Sequence, residues 1–137
     1  PEHHGKNVVF LIISGFTIYG DYDIYRRIAA LSIRWTVNDH FGNASYLTQE
    51  RWDHIVGPNN LPEMVDFERH LKKTIQTGTR KQDSLNPQKY RYVKAFEDLP
   101  EANTHIVAIV LFRFRESEMG EPIQNNYIVT AYQKEIG

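Results

Sequence analysis

The chain has 137 residues, 41% of them hydrophobic and 12% aromatic, which suits one folded domain and excludes wholesale disorder. It holds no cysteine, so disulfides, thiolate metal sites and a cysteine nucleophile are excluded together, and a reducing, cytoplasmic setting is expected. Net charge is −1, and the longest apolar run, Val8–Ile13, is far too short to span a bilayer. A chain that starts at Pro1 reads as a processed or trimmed product, or as a piece of a longer protein, so no function is assigned to His3-His4 or their neighbours.

In chain order, Asn7–Ile13 reads as a short buried strand closed by Ser14-Gly15. After Gly20-Asp21 a helix is predicted from about Tyr22 to Val37, because Ile24, Ile28, Leu31 and Trp35 form one apolar stripe. A second helix starts at Thr48 as N-cap, includes Trp52 and His54, and stops at Gly57-Pro58. A third begins with Pro62 and Glu63, follows the stripe Met64, Phe67, Leu71 and Ile75, and ends at Gly78. The period then changes. Tyr90–Phe96, His105–Phe114 and Asn126–Gln133 are rich in β-branched and aromatic residues and read as strands, with Glu116–Pro122 as a hairpin loop. Helices first and strands last imply a single α+β domain over residues 1–137, with N-terminal helices packed on one face of a C-terminal antiparallel β-sheet.

Charge is unevenly placed. From Arg69 to Ala95 eight basic residues stand against one acid, Asp83, a local charge of +7 inside a chain of net −1. The run can be a solvated helix face followed by a charged loop. Tyr90 and Tyr92 interleave it, however, and aromatics that stack on bases beside cations that hold phosphates suit a polyanion such as RNA. The candidate contacts are Lys72, Lys73, Arg80, Lys81, Lys94, Tyr90 and Tyr92.

Period two on the last strand puts Asn126, Ile128, Thr130 and Tyr132 on one face and Tyr127, Val129 and Ala131 on the core face. An amide, a hydroxyl and a phenol together suit phosphate contact. His54, near a helix end, can act as a general acid or base, and His105 at a strand start is a weaker candidate. His40 and His70 show no such setting; His70 reads as a solvated helix face. No two histidines have metal-ligand spacing with a nearby acid, and there is no Gly-rich phosphate loop, nucleophile elbow or dinucleotide fingerprint. Neither a metal nor a cofactor is expected.

The stretches Leu47–Ile55, Pro62-Glu63-Met64, Tyr90-Arg91-Tyr92 and Tyr127–Tyr132 together resemble the prokaryotic and phage branch of the barnase–EndoU–colicin–RelE-like ribonuclease superfamily. The resemblance covers residues 46–133 as a ribonuclease-like core and leaves residues 1–45 as an added strand and helix. Leu61 stands where that family often has a histidine. The resemblance implies a toxin-type, metal-independent endoribonuclease that cleaves by attack of the ribose 2′-OH. Its implied site is His54 as acid or base, Arg91 or Lys94 on the phosphate, and Thr130 with Tyr132 orienting it. It also implies an acidic inhibitor, antitoxin or immunity protein, covering Lys72, Lys73, Arg91 and Thr130. The alternative is a non-catalytic RNA- or protein-binding domain on the same scaffold.

Overall fold

The computed structural model describes the backbone of residues 8–13 and 16–137, and side chains from residue 23 onward except residues 25 and 26. Strand β1 (Val8–Ile13) pairs antiparallel with β2 (Phe16–Asp21). Asn7 and the expected Ser14-Gly15 turn lie outside the described residues.

The helix expected to run from Tyr22 to Val37 ends early. Helix α1 spans Tyr22–Leu31, Leu31 is 86% exposed, and Ser32 donates its hydroxyl to Ile28 O at 2.7 Å. Ile33–Asn38 is strand β3 instead, with Trp35 and Val37 turned inward. The helical spacing of Trp35 was coincidental. Ile33, Thr36 and Val37 are β-branched, and pairing with β4 (Ala44–Thr48) outweighs a weak helical preference. The turn between them is closed by Asp39, whose carboxylate accepts from Phe41 N at 2.9 Å and Asn43 N at 2.8 Å, while Gly42 supplies a φ of +89°.

The sheet therefore begins before the main helices. Helix α2 (Gln49–Ile55) is capped as expected by the Thr48 hydroxyl, which accepts from Arg51 N at 3.1 Å. A 3-10 turn (Pro62–Phe67) leads into α3 (Glu68–Thr77). Of the expected stripe, Met64, Leu71 and Ile75 are fully buried, and Phe67 packs against the same core.

Strand β5 (Thr79–Gln82), in a stretch expected as a charged loop, pairs with β6 (Lys89–Ala95). It has no apolar alternation because it is a sheet edge, where polar side chains are at home. Strands β7 (His105–Leu111) and β10 (Asn126–Lys134) follow, with the small hairpin β8 (Phe114–Glu116) and β9 (Pro122–Gln124) between them. The sheet order is β3-β4-β10-β7-β6-β5. Neighbours are antiparallel except β4 and β10, which run parallel, a correction to the purely antiparallel, three-stranded expectation. Residues 33–48, expected largely outside the sheet, form two of its strands.

One face carries the core. Trp52 and Ile55 of α2, Met64, and Leu71 and Ile75 of α3 pack on Leu47, Tyr92, Ala108, Val110, Ile128 and Ala131. At the end of α3 the chain turns hard against β6. A Cβ on Gly78 would lie 2.3 Å from Thr74 O and 2.7 Å from Val93 O, both backbone. Gly78→Ala must push α3 away from the sheet, and we expect it to destabilise the fold by about 3 kcal/mol in urea unfolding. A wild-type midpoint for that variant would refute the close approach.

Candidate polyanion-binding face

Strand β10 was expected to alternate without interruption. Its register with β7 shifts between Ile128 and Thr130, so a bulge at Val129 changes which residues share a face. Asn126 and Ile128 are buried before it and Ala131 is buried after it. Asn126 is thus withdrawn from the contact surface: its amide donates to Ala44 O at 3.1 Å. Thr130 and Tyr132, past the bulge, point to the opposite face. There the registers align them into rungs. Thr130, Ile109, Arg91 and Lys81 form one rung; Tyr132, Val107, Val93 and Thr79 form the next.

On this face lies an open groove of about 410 Å³ whose lining includes Lys81, Lys89, Arg91, Tyr132 and Lys134. Four cations meet one carboxylate there, that of Asp83. Asp83 accepts from Leu85 N at 2.7 Å and Asn86 N at 2.9 Å, and those two bonds hold its carboxyl below the usual range. Its contact with Lys89 is 3.9 Å. Arg91 Nε is buried and has no hydrogen-bond partner within the chain. An unpaired buried donor costs free energy, which marks Arg91 as a position with an unmet hydrogen-bond demand.

The expected site is therefore partly assembled. Arg91, Thr130 and Tyr132 share the face, and Lys81 joins them in the Arg91 rung. Lys94 does not: it pairs with Ile106 on the core face and lies 5.9 Å over the Phe96 ring. His54 stands apart, exposed on α2 in the helix layer, one turn beyond Glu50 and Arg51. His105 begins β7, with Nδ1 2.6 Å from the Thr104 hydroxyl.

Tyr92, expected to stack on bases, is fully buried, which corrects its assignment. Its hydroxyl donates to Asp39 at 2.5 Å. Burial, with the Asp39 carboxylate next, raises its pKa well above the usual phenol value. Asp39 is subject to opposing effects. Burial raises its pKa, but hydrogen bonds from Tyr92, Asn43 and Phe41 outweigh that and leave it lowered. Arg80 completes this network 3.8 Å from Asp39, with its guanidinium over Phe41 at 4.3 Å and over Tyr90 at 4.8 Å. Tyr90 itself packs against Phe112 at 4.3 Å. Arg80 and Tyr90 thus hold the fold together on the core side.

The +7 stretch is not one patch. Lys72 and Lys73 ride on α3, in the helix layer, away from the groove. Lys72 lies 5.3 Å over the Trp35 ring. Beside it Glu68 pairs with Arg34 and accepts from Trp35 Nε1 at 2.7 Å; the Arg34 hydrogen bond, above all, holds its carboxyl below the usual range. His70, expected to be solvated, is wedged between Phe67 and Phe96 with Nε2 2.7 Å from Asp98. Lys89, in the basic run but not among the candidate contacts, is a groove cation that sequence reasoning missed, and so is Lys134. Lys134 lies outside the basic run, and only strand pairing brings it to β6. Among the described residues no group of histidines and carboxylates has the arrangement of a metal site, and no helix is long and apolar enough to cross a membrane.

Comparison with family models, with curated proteins and with solved structures found no match for this chain.

Proposed function

We propose that the chain binds RNA in the groove across β5, β6, β7 and β10 and cleaves it without a metal. The observation that carries this reading is Arg91: a guanidinium with a buried, unpaired Nε, flanked by Lys81, Lys89 and Lys134 and beside the Tyr132 phenol. Arg91 takes the phosphate, since its planar fork matches two phosphoryl oxygens. Lys81, Lys89 and Lys134 stabilise the charge that builds on those oxygens as the ribose 2′-OH attacks phosphorus and the 5′ oxygen leaves. The Thr130 and Tyr132 hydroxyls orient the phosphate. Water takes the 2′-OH proton and a proton returns from water to the departing 5′ oxygen, because His54 lies on α2, on the opposite face of the sheet, and does not reach the phosphate on Arg91. The need for a 2′-OH selects RNA over DNA. An acidic inhibitor would compete for the same cations, covering Lys81, Arg91 and Lys134 rather than Lys72 and Lys73.

A second reading, a non-catalytic RNA- or protein-binding domain, is favoured by the separation of His54 from the groove and by Leu61 in place of a histidine. Incubating the purified protein with total RNA in excess chelator separates the two. Cleavage that Arg91→Gln abolishes supports the enzyme; binding without cleavage leaves the binding domain.

A further inference from the structure

One rung along the sheet from Arg91, Lys89 pairs with Leu111, Leu111 with Tyr127, and Tyr127 with Tyr46 of β4. The face that carries the cationic groove thus also carries, across Leu111, a pair of tyrosines. Their rings are 6.1 Å apart and tilted by 39°, and both residues are half-buried. The Tyr46 hydroxyl donates to Asn125 Oδ1 at 3.1 Å, which fixes that ring against the sheet. Beside them is a pocket of about 220 Å³, closed by Ala30, Thr48, Glu50 and Arg51.

Glu50 and Arg51 stand together at its wall and offset each other's charge, whereas two half-buried aromatic rings suit a flat ring. With strands about 4.8 Å apart and about 3.4 Å per residue, Tyr127 is roughly 12 Å from Arg91. That lies within the footprint of a few nucleotides of single strand. We propose that the Tyr46–Tyr127 pocket is a stacking subsite for a nucleobase of the strand whose phosphates lie on Lys89 and Arg91. This inference rests on the RNA reading above. It adds a binding contact that neither charge nor the polar strand face contains, because stacking depends on rings rather than on salt.

The test compares a short single-stranded RNA of mixed sequence with an abasic ribose-phosphate oligomer of the same length, by fluorescence anisotropy. The wild type should bind the mixed RNA about tenfold more tightly. Tyr127→Leu should lose about tenfold on the mixed RNA and nothing on the abasic oligomer, while Tyr127→Phe, which keeps the ring, should behave as wild type. Unchanged affinity of Tyr127→Leu for both oligomers, or an equal loss on both, would overturn the subsite and leave the groove standing. Failure of the wild type to bind either oligomer would overturn the RNA reading and the subsite with it. Circular dichroism checks the fold of the variant. Should Tyr127→Leu unfold, the wild-type comparison decides alone, since equal affinity for the two oligomers overturns the subsite.

Discussion

Arg91→Gln should weaken RNA binding by about 30- to 100-fold, the loss expected for one charge-assisted, two-pronged phosphate contact. Any cleavage should fall by about 100-fold or more, because the same guanidinium faces the charge that grows in the transition state. The fold should not suffer. Arg91 Nε has no partner within the chain, so the substitution breaks no hydrogen bond there and relieves an unpaired donor. Lys81, Lys89 and Lys134 line the same groove. Replacing all three by Gln should flatten the dependence of log affinity on log salt by about two, at roughly 0.7 per phosphate contact on single strands. Lys72→Gln with Lys73→Gln should change that slope far less, since both lie in the helix layer. Titrations of labelled RNA across a potassium chloride series read all of these. An Arg91→Gln affinity within twofold of wild type, or a larger slope change from the α3 pair, would move the binding surface off this face.

Asp39→Ala should cost about 3–5 kcal/mol of stability at neutral pH. Its side chain is fully buried and accepts from Phe41 N, Asn43 N, the Asn43 amide and the Tyr92 hydroxyl, with Arg80 at 3.8 Å. Removing it strands a phenol and a guanidinium without their partner. The pH dependence has two limbs. Folding lowers the Asp39 pKa from its ordinary 3.8, so its contribution is complete above that value and is lost as pH falls through the lower, folded pKa. Folding raises the Tyr92 pKa from its ordinary 10.0, so that contribution is complete below pH 10 and is lost as pH rises further. Urea unfolding from acid to alkaline pH should therefore show both limbs in the wild type, the acid limb weakened in Asp39→Ala and the alkaline limb weakened in Tyr92→Phe. An Asp39→Ala variant within 1 kcal/mol of wild type would show that the network contributes little.

Where a residue's role depends on near neighbours in the chain, the sequence alone was enough. Thr48 caps α2 because its hydroxyl needs only the amide three residues on. Met64, Leu71 and Ile75 line one side of their helical segment because helical geometry does not depend on what lies opposite. Strands β6, β7 and β10 were legible from their β-branched and aromatic runs. Pairing decided the rest. Trp35 entered a strand because β4 was there to receive β3. Residues 79–82 became a strand only as the edge partner of β6. A one-residue bulge in β10 buried Asn126 and brought Thr130 and Tyr132 to the groove, since each residue of slip exchanges the two faces. The same alternation divided the basic run. Lys81, Lys89 and Arg91 went to one face, Arg80 and Lys94 to the other, and Lys72 and Lys73 to a helix, while Lys134 joined the groove from far along the chain. Linear charge density records how many cations a segment has. Which of them face one phosphate is set by strand register, a property of two segments at once.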